Sequence, residues 1–228
     1  MKILGFDTSN KIMTVAVSDG DSVLAEYSVR SRTTHSETLM PNIERILEET
    51  DTDISEIEVF ALSIGPGSFT GLRIGAATAK ALAYANDRKI IGLSSLEVLA
   101  NGSSCFDGLV VPMMDARNGR VFAGAYKNGE TVIEDSSGDL KEFLKKLDGA
   151  DEKFLFTGDG ADVYSETIRE VMGEKAVFAP MKDRYSRASS VCELALRRAE
   201  KGEFDDYFEL SPEYLRPSQA ERQKNERK

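Results

Sequence analysis

Short apolar runs alternate along the chain with stretches whose apolar residues recur every three or four positions, which predicts strands and helices in turn. Ile3–Phe6, Ile12–Ser18 and Ser22–Arg30 read as three strands, the last two joined by an Asp19-Gly20 turn. Over Ser36–Glu49, Leu39, Ile43, Ile46 and Leu47 share one side of a helix, and Pro41 near its second turn is expected to bend it. His35 and Ser36 precede that helix and read as its cap. Strands at Glu58–Ile64 and Lys89–Leu93 bracket a helix over about Thr70–Ala85, and a short helix follows at Leu96–Ala100.

The second half runs through the same order. Leu109–Met114, Arg120–Tyr126 and Thr131–Glu134 read as strands, with Asn128-Gly129 as a turn. Helix Leu140–Leu147, strand Lys153–Phe156, helix Asp162–Met172, strand Ala176–Phe178 and helix Ser189–Lys201 complete the set. Both halves read βββαβαβα; each first strand ends on an aspartate, Asp7 or Asp115, and each fourth strand enters a Gly-x-Gly turn. The natural reading is an α/β protein of two ribonuclease H-like lobes, residues 1–103 and 104–216, with a flexible polar tail over 217–228. Two such lobes facing each other form the actin, Hsp70 and sugar kinase arrangement, where a nucleotide lies between lobes. On that frame Asp7, Thr8, Ser9, Asp115 and Arg117, with Gly158 and Gly160, are candidate phosphate or nucleotide contacts, and ATP or ADP the candidate ligand. Each has a plainer reading. Asp7-Thr8-Ser9 can bond its own turn, Asp115 can be solvated or paired with Arg117 or Arg120, and a Gly-x-Gly turn is common between strand and helix.

The run Ser63–Ala85 carries the most information. An apolar strand breaks at Gly65-Pro66-Gly67 and restarts as a helix near Ser68 or Thr70, whose hydroxyls can cap it. Helix starts of this kind hold anions in many α/β proteins, yet no Lys-Ser/Thr follows at P-loop spacing. Gly71, Gly75, Ala79 and Ala83 fall four apart and leave one helix face nearly bare. Two glycines inside a helix cost about 1 kcal/mol each against alanine, which close packing explains, against a partner helix or this chain's own sheet.

At 228 residues, 41% hydrophobic and 30% charged, the chain has the make-up of a globular protein with a sizeable core. A net charge of −10 argues against an extended nucleic-acid surface. The apolar start MKILGF is too short for a signal peptide and no run approaches a membrane span, so a cytoplasmic protein is expected. Cys105 and Cys192 are lone residues, in keeping with free thiols.

The segments FDTS (6–9), HSETLMPNIERIL (35–47), GPGSFTGLRIGAATAKALA (65–83), MDAR (114–117) and PEYLR (212–216) together resemble the TsaB, or YeaZ, family. The resemblance spans nearly the whole chain and implies a non-catalytic partner of the transferase TsaD. TsaD forms N6-threonylcarbamoyladenosine at position 37 of tRNAs reading codons that begin with A. It implies work alongside the ATPase TsaE, with tRNA contacted mainly through the complex, and a homodimer when the chain is alone. TsaD binds its metal partly through an H-x-x-x-H motif where this chain reads Ser95-Leu96-Glu97-Val98-Leu99, and the only histidine here is His35. A Ser-Gly-Gly phosphate segment of TsaD is replaced by Asp115-Ala116-Arg117-Asn118. No catalytic residue, no metal site and no required cofactor are therefore expected on this chain.

For the partner interface the resemblance and helical spacing select Met40, Ile43 and Leu47 on one helix, with Gly71, Ile74, Gly75 and Thr78 on the next. Gly75→Leu is expected to weaken the heterodimer while the monomer stays folded. Other function classes are an ATPase or phosphotransferase acting alone, suggested by Asp7 and Asp115, a metalloprotease, for which no histidine pair exists, and a self-assembling scaffold.

Overall fold

The computed structural model describes residues 1–30, 33–147, 149 and 152–216. The expected tail over 217–228 lies outside the described residues. In the first half β1 (Lys2–Asp7), β2 (Met13–Asp19) and β3 (Ser22–Val29) form an antiparallel meander. After α1 (His35–Glu49) come β4 (Val59–Gly65), α2 (Phe69–Asn86), β5 (Lys89–Ser94) and α3 (Ser95–Asn101). The strands form one sheet in the order β3-β2-β1-β4-β5, with β4 parallel to β1 and to β5. β1 and β4 are buried on both faces and read as unbroken apolar runs for that reason.

The second half repeats this with β6 (Leu109–Asp115), β7 (Arg120–Lys127), β8 (Glu130–Asp139), α4 (Leu140–Lys146) and β9 (Phe154–Thr157). α5 (Asp159–Val163), α6 (Ser165–Met172), β10 (Ala176–Phe178) and α7 (Ala188–Glu200) follow. Its sheet has the same topology, in the order β10-β9-β6-β7-β8. Two elements differ from expectation. The helix expected over Asp162–Met172 starts at Asp159 and breaks at Tyr164 into α5 and α6. β8 runs to Asp139, well past Glu134, because Ser136, Ser137 and Gly138 keep pairing with β7. α1 runs without a break through Pro41.

The two halves exchange their last helices. α3 packs on the second sheet, with Leu96 and Ala100 against Val110, Met114, Tyr126 and Leu155. α7 packs on the first sheet, with Val191, Cys192 and Ala195 against Ile3, Ala16, Ala61 and Ile91. After α7 the chain returns along the first sheet, where the amide of Asp205 donates to Ile90 O (2.9 Å) and its carboxylate accepts from Gly92 N (2.8 Å). A division after residue 103 thus separates the sheets but not the packing: residues 188–210 belong to the first core, and α3 serves both, with Leu96 and Ala100 in the second core and Val98 against α7 and the first sheet. Among the described residues no helix is long and apolar enough to cross a membrane.

Candidate functional site

β1 ends on Asp7, and β6, its counterpart in the second half, ends on Asp115. Asp7 is fully buried; its Oδ1 accepts from Ser9 N (2.6 Å), and its Oδ2 has no hydrogen-bond partner among the described residues. Thr8 donates its hydroxyl to Gly71 O (2.8 Å) and Ser9 O accepts from Ser68 N (2.7 Å). The first loop is thereby sewn into the first turn of α2, which Ser68 caps through Gly71 N (3.3 Å).

The second loop is held differently. Asp115 Oδ1 accepts from Arg117 N and from the Tyr164 hydroxyl, both at 2.8 Å. The Arg117 guanidinium is not part of that contact, and the residue is exposed. Arg117, Asn118 and Gly119 take φ of 65°, 57° and 72°, a left-handed turn that lifts the loop into solvent. Gly158 and Gly160 serve α5: a Cβ on Gly158 would collide with Met113 O, and one on Gly160 would lie 2.9 Å from Met114 C. This close approach seats Asp159 so that its Oδ1 accepts from Asp115 N (3.1 Å). Burial, with the Asp115 charge adding to it, pushes the Asp159 carboxyl above the usual range, while backbone donors and Lys11 oppose it. Asp159 and Tyr164 are site residues that sequence reasoning passed over; the signal for Asp159 was its place inside the Gly-x-Gly turn. Between the lobes Asn10, Leu99, Asp159, Arg184 and Ser186 line a crevice with room for about one water molecule.

α3 carries Ser95 and Leu99, the positions at which the resemblance to TsaD leads one to look for histidines. Ser95 is buried, its hydroxyl without a partner among the described residues, and Leu99 lines the same crevice. His35 is not a cap. Thr34 holds that position, and His35 is the first residue of α1, tied through Nε2 to Asn10 O (2.7 Å).

The expected partner face needs a larger correction. Ile43 is 1% exposed in the chain's own core. The glycine stripe of α2 faces inward: a Cβ on Gly71 would collide with Thr8 O, and one on Gly75 would sit 2.5 Å from Thr8 Oγ1. Ile43, Gly71 and Gly75 are therefore packing residues of the monomer, and Gly75→Leu would disrupt the monomer itself. Of the selected residues Met40 is exposed, and Leu47, Ile74 and Thr78 are half-buried. The outward face of α2 carries Thr70, Arg73, Ala77, Ala81 and Tyr84, all exposed.

Two βββαβαβα lobes with exchanged terminal helices and an aspartate at the end of each first strand define the actin, Hsp70 and sugar kinase class. A solved polyphosphate/ATP-glucomannokinase from an Arthrobacter strain shares this fold at TM-score 0.51 and 10% identity, over 86% of this chain and 99% of that one. Residues 28–224 match the family model described as TsaD, tRNA N6-adenosine threonylcarbamoyltransferase. The chain is 38% identical to the tRNA threonylcarbamoyladenosine biosynthesis protein TsaB of Bacillus subtilis, over 97% of this chain and 96% of the relative. A solved Pseudomonas aeruginosa protein described as similar to the peptidase YeaZ superposes at TM-score 0.81 and 25% identity, covering 94% of this chain and 99% of that one. The chain belongs to this TsaD-like family and, within it, to TsaB, also called YeaZ.

Proposed function

We propose that this chain is a non-catalytic partner of a TsaD-type transferase, required for forming N6-threonylcarbamoyladenosine at position 37 of tRNAs that read codons beginning with A. The observation that carries this reading is the likeness to TsaB over nearly the full length of both chains. Three features support it. The crevice between lobes has room for about one water molecule, Ser95 and Leu99 stand where TsaD carries metal-binding histidines, and α1 and α2 keep an outward surface around Met40, Ile74 and Thr78. A matching helix pair on TsaD would pack there across a pseudo-twofold axis, burying about 1,600 Å² in total. The same surface would pair two copies of this chain when TsaD is absent. TsaE would join the complex, tRNA would be held mainly by the partners because of the −10 charge, and the work would be done in the cytoplasm.

The test is reconstituted tRNA modification with TsaC, TsaD, TsaE, threonine, bicarbonate and ATP, with and without this chain, read by mass spectrometry of the modified adenosine. Dependence on the chain is expected; equal modification without it would remove the proposal. One observation favours a second reading. The buried, unpartnered Oδ2 of Asp7 is of the kind that a nucleotide-bound cation would satisfy, so ATP or ADP would bind in an opened cleft or at the joint with TsaD. ATP turnover by the purified chain, lost in Asp7→Asn, would favour an ATPase or phosphotransferase acting alone.

A further inference from the structure

The last described residues, 205–216, form a strap whose contacts run from one lobe to the other. It is anchored first on the edge of the first sheet at Ile90 and Gly92, and Lys80 of α2 donates to Phe208 O (3.3 Å) and Leu210 O (3.0 Å). Its next residues close on the Gly-Pro-Gly turn. Glu213 N donates to Ile64 O (2.8 Å), and a Cβ on Gly65 would collide with Glu213 O, so only glycine lets the strap lie this close. Tyr214 then stacks on Phe69 at 4.3 Å and 5°, and its hydroxyl accepts from Arg73 Nε (3.0 Å). The Arg73 guanidinium lies within 6 Å of both ring centroids, at 5.9 Å and 5.8 Å. Two residues on, Arg216 reaches the other lobe and donates to Ala116 O (2.8 Å) in the left-handed loop after β6.

We propose that this strap is a clasp that couples the outward face of α2 to the loop Asp115–Gly119 of the second lobe. The coupling runs through four groups in series: the exposed Arg73, the Phe69–Tyr214 stack, the backbone of 214–216 and the Arg216 guanidinium. A partner that seats on α2 touches or shifts Arg73, and the shift reaches Ala116 through the strap. The loop is suited to receive it. It is held at its two ends, by the Ala116 N–Arg120 O and Arg120 N–Arg117 O bonds, by the Asp115 carboxylate on Arg117 N and by Leu140 N on Gly119 O (3.0 Å), while its tip is exposed and a Cβ on Gly119 would meet nothing within 4 Å. The isolated-chain half of this inference stands on the contacts alone; the partner half rests on the α1–α2 docking reading.

The test is hydrogen exchange, resolved to peptides, on the isolated full chain and on its complex with a TsaD homologue. In the isolated chain Arg216→Ala is expected to speed exchange of the Ala116, Arg117 and Arg120 amides about fivefold to tenfold, with residues 63–72 unchanged. Tyr214→Ala is expected to speed both regions, since it cuts the clasp upstream. Arg216→Ala removes the bond to Ala116 O and truncates a side chain that belongs to neither core, so a folded variant with wild-type exchange at 116–120 would overturn the clasp. With partner added, wild-type exchange at 116–120 should slow, and Arg216→Ala should abolish the slowing while binding persists. Partner binding with no change at 116–120 in the wild type would overturn the coupling, whereas no partner binding at all would remove the docking reading and leave the isolated-chain result to decide the clasp.

Discussion

The loop that follows the first strand of each half has met opposite fates in a duplicated frame. In the first half Asp7, Thr8 and Ser9 are at most 2% exposed and stitched into α2, so the loop is closed by the helix that should border a ligand. In the second half Arg117, Asn118 and Gly119 stand in solvent, anchored from below by Asp115 and Tyr164 and from the side by Arg216. Equal topology has therefore not kept equal use. One loop has become part of the core, and the other has stayed an adjustable surface.

That contrast breaks most sharply at Gly71. Gly71→Ala should cost about 3 kcal/mol, because its Cβ meets the Thr8 carbonyl and the backbone must move. Urea denaturation of the pure chain measures it, and a cost under about 1 kcal/mol would mean that the first loop yields easily. On the outward face of the same helix, Ala77→Glu should weaken association with a TsaD homologue by about 2 kcal/mol, roughly thirtyfold, at little cost to folding because Ala77 is exposed. Sedimentation of the mixed proteins reads the loss, and unchanged association would take the docking surface off α2. Gly119→Ala in the open loop should cost about 1 kcal/mol, since only its left-handed backbone resists a side chain. A cost as large as that of Gly71→Ala would erase the difference between the loops.

The smallest effect concerns the joint between the halves. Asp135 accepts there from Ser94 Oγ of the first half and from the Tyr126 hydroxyl (2.6 Å). Burial raises the Asp135 carboxyl, with Glu134 adding to it and the two hydroxyl donors opposing it. Burial also raises Glu97 on α3, with Asp135 adding and Arg198 and Arg197 on α7 opposing. A carboxyl raised in the folded state binds its proton more tightly there than in the unfolded chain. Its contribution is thus full below the unfolded value of about 4 and is lost as pH rises through the folded value. Exposed Glu49 and Glu56, lowered by their hydrogen bonds to Tyr27 and Lys2, act with the opposite sign, so the wild-type curve alone does not isolate the joint. The stability difference between Asp135→Asn and wild type should shift in favour of the variant as pH rises from 4 to 7. A difference that is flat with pH would place the Asp135 proton elsewhere.

The strands, most helix starts and the duplication were legible because each rests on local chemistry: apolar alternation, Asp19-Gly20 and Asn128-Gly129 turns, and a serine before α2. The end of β8 was not, since Asp135-Ser136-Ser137-Gly138 has the composition of a turn and is held as strand by its pairing with β7. Nor was the role of the α2 glycines. Spacing reveals that something lies close to Gly71 and Gly75, but a partner helix and the chain's own Thr8 leave the same pattern. Asp159 was hidden for a related reason, because its value to the cleft comes from the β6 amide it accepts from, far away in sequence. The periodicity of α3 and α7 likewise shows that each has an apolar side without showing which sheet that side covers.

The exchange of α3 and α7 has a consequence for how the protein comes into being. On the ribosome the first sheet emerges before the second, yet the helix that covers one of its faces is made only after the whole second sheet. Until residues 188–200 leave the exit tunnel, Ile3, Ala61 and Ile91 have no lid, and the nascent first half is an open sandwich. The first sheet must wait for a helix made after its neighbour before it can close.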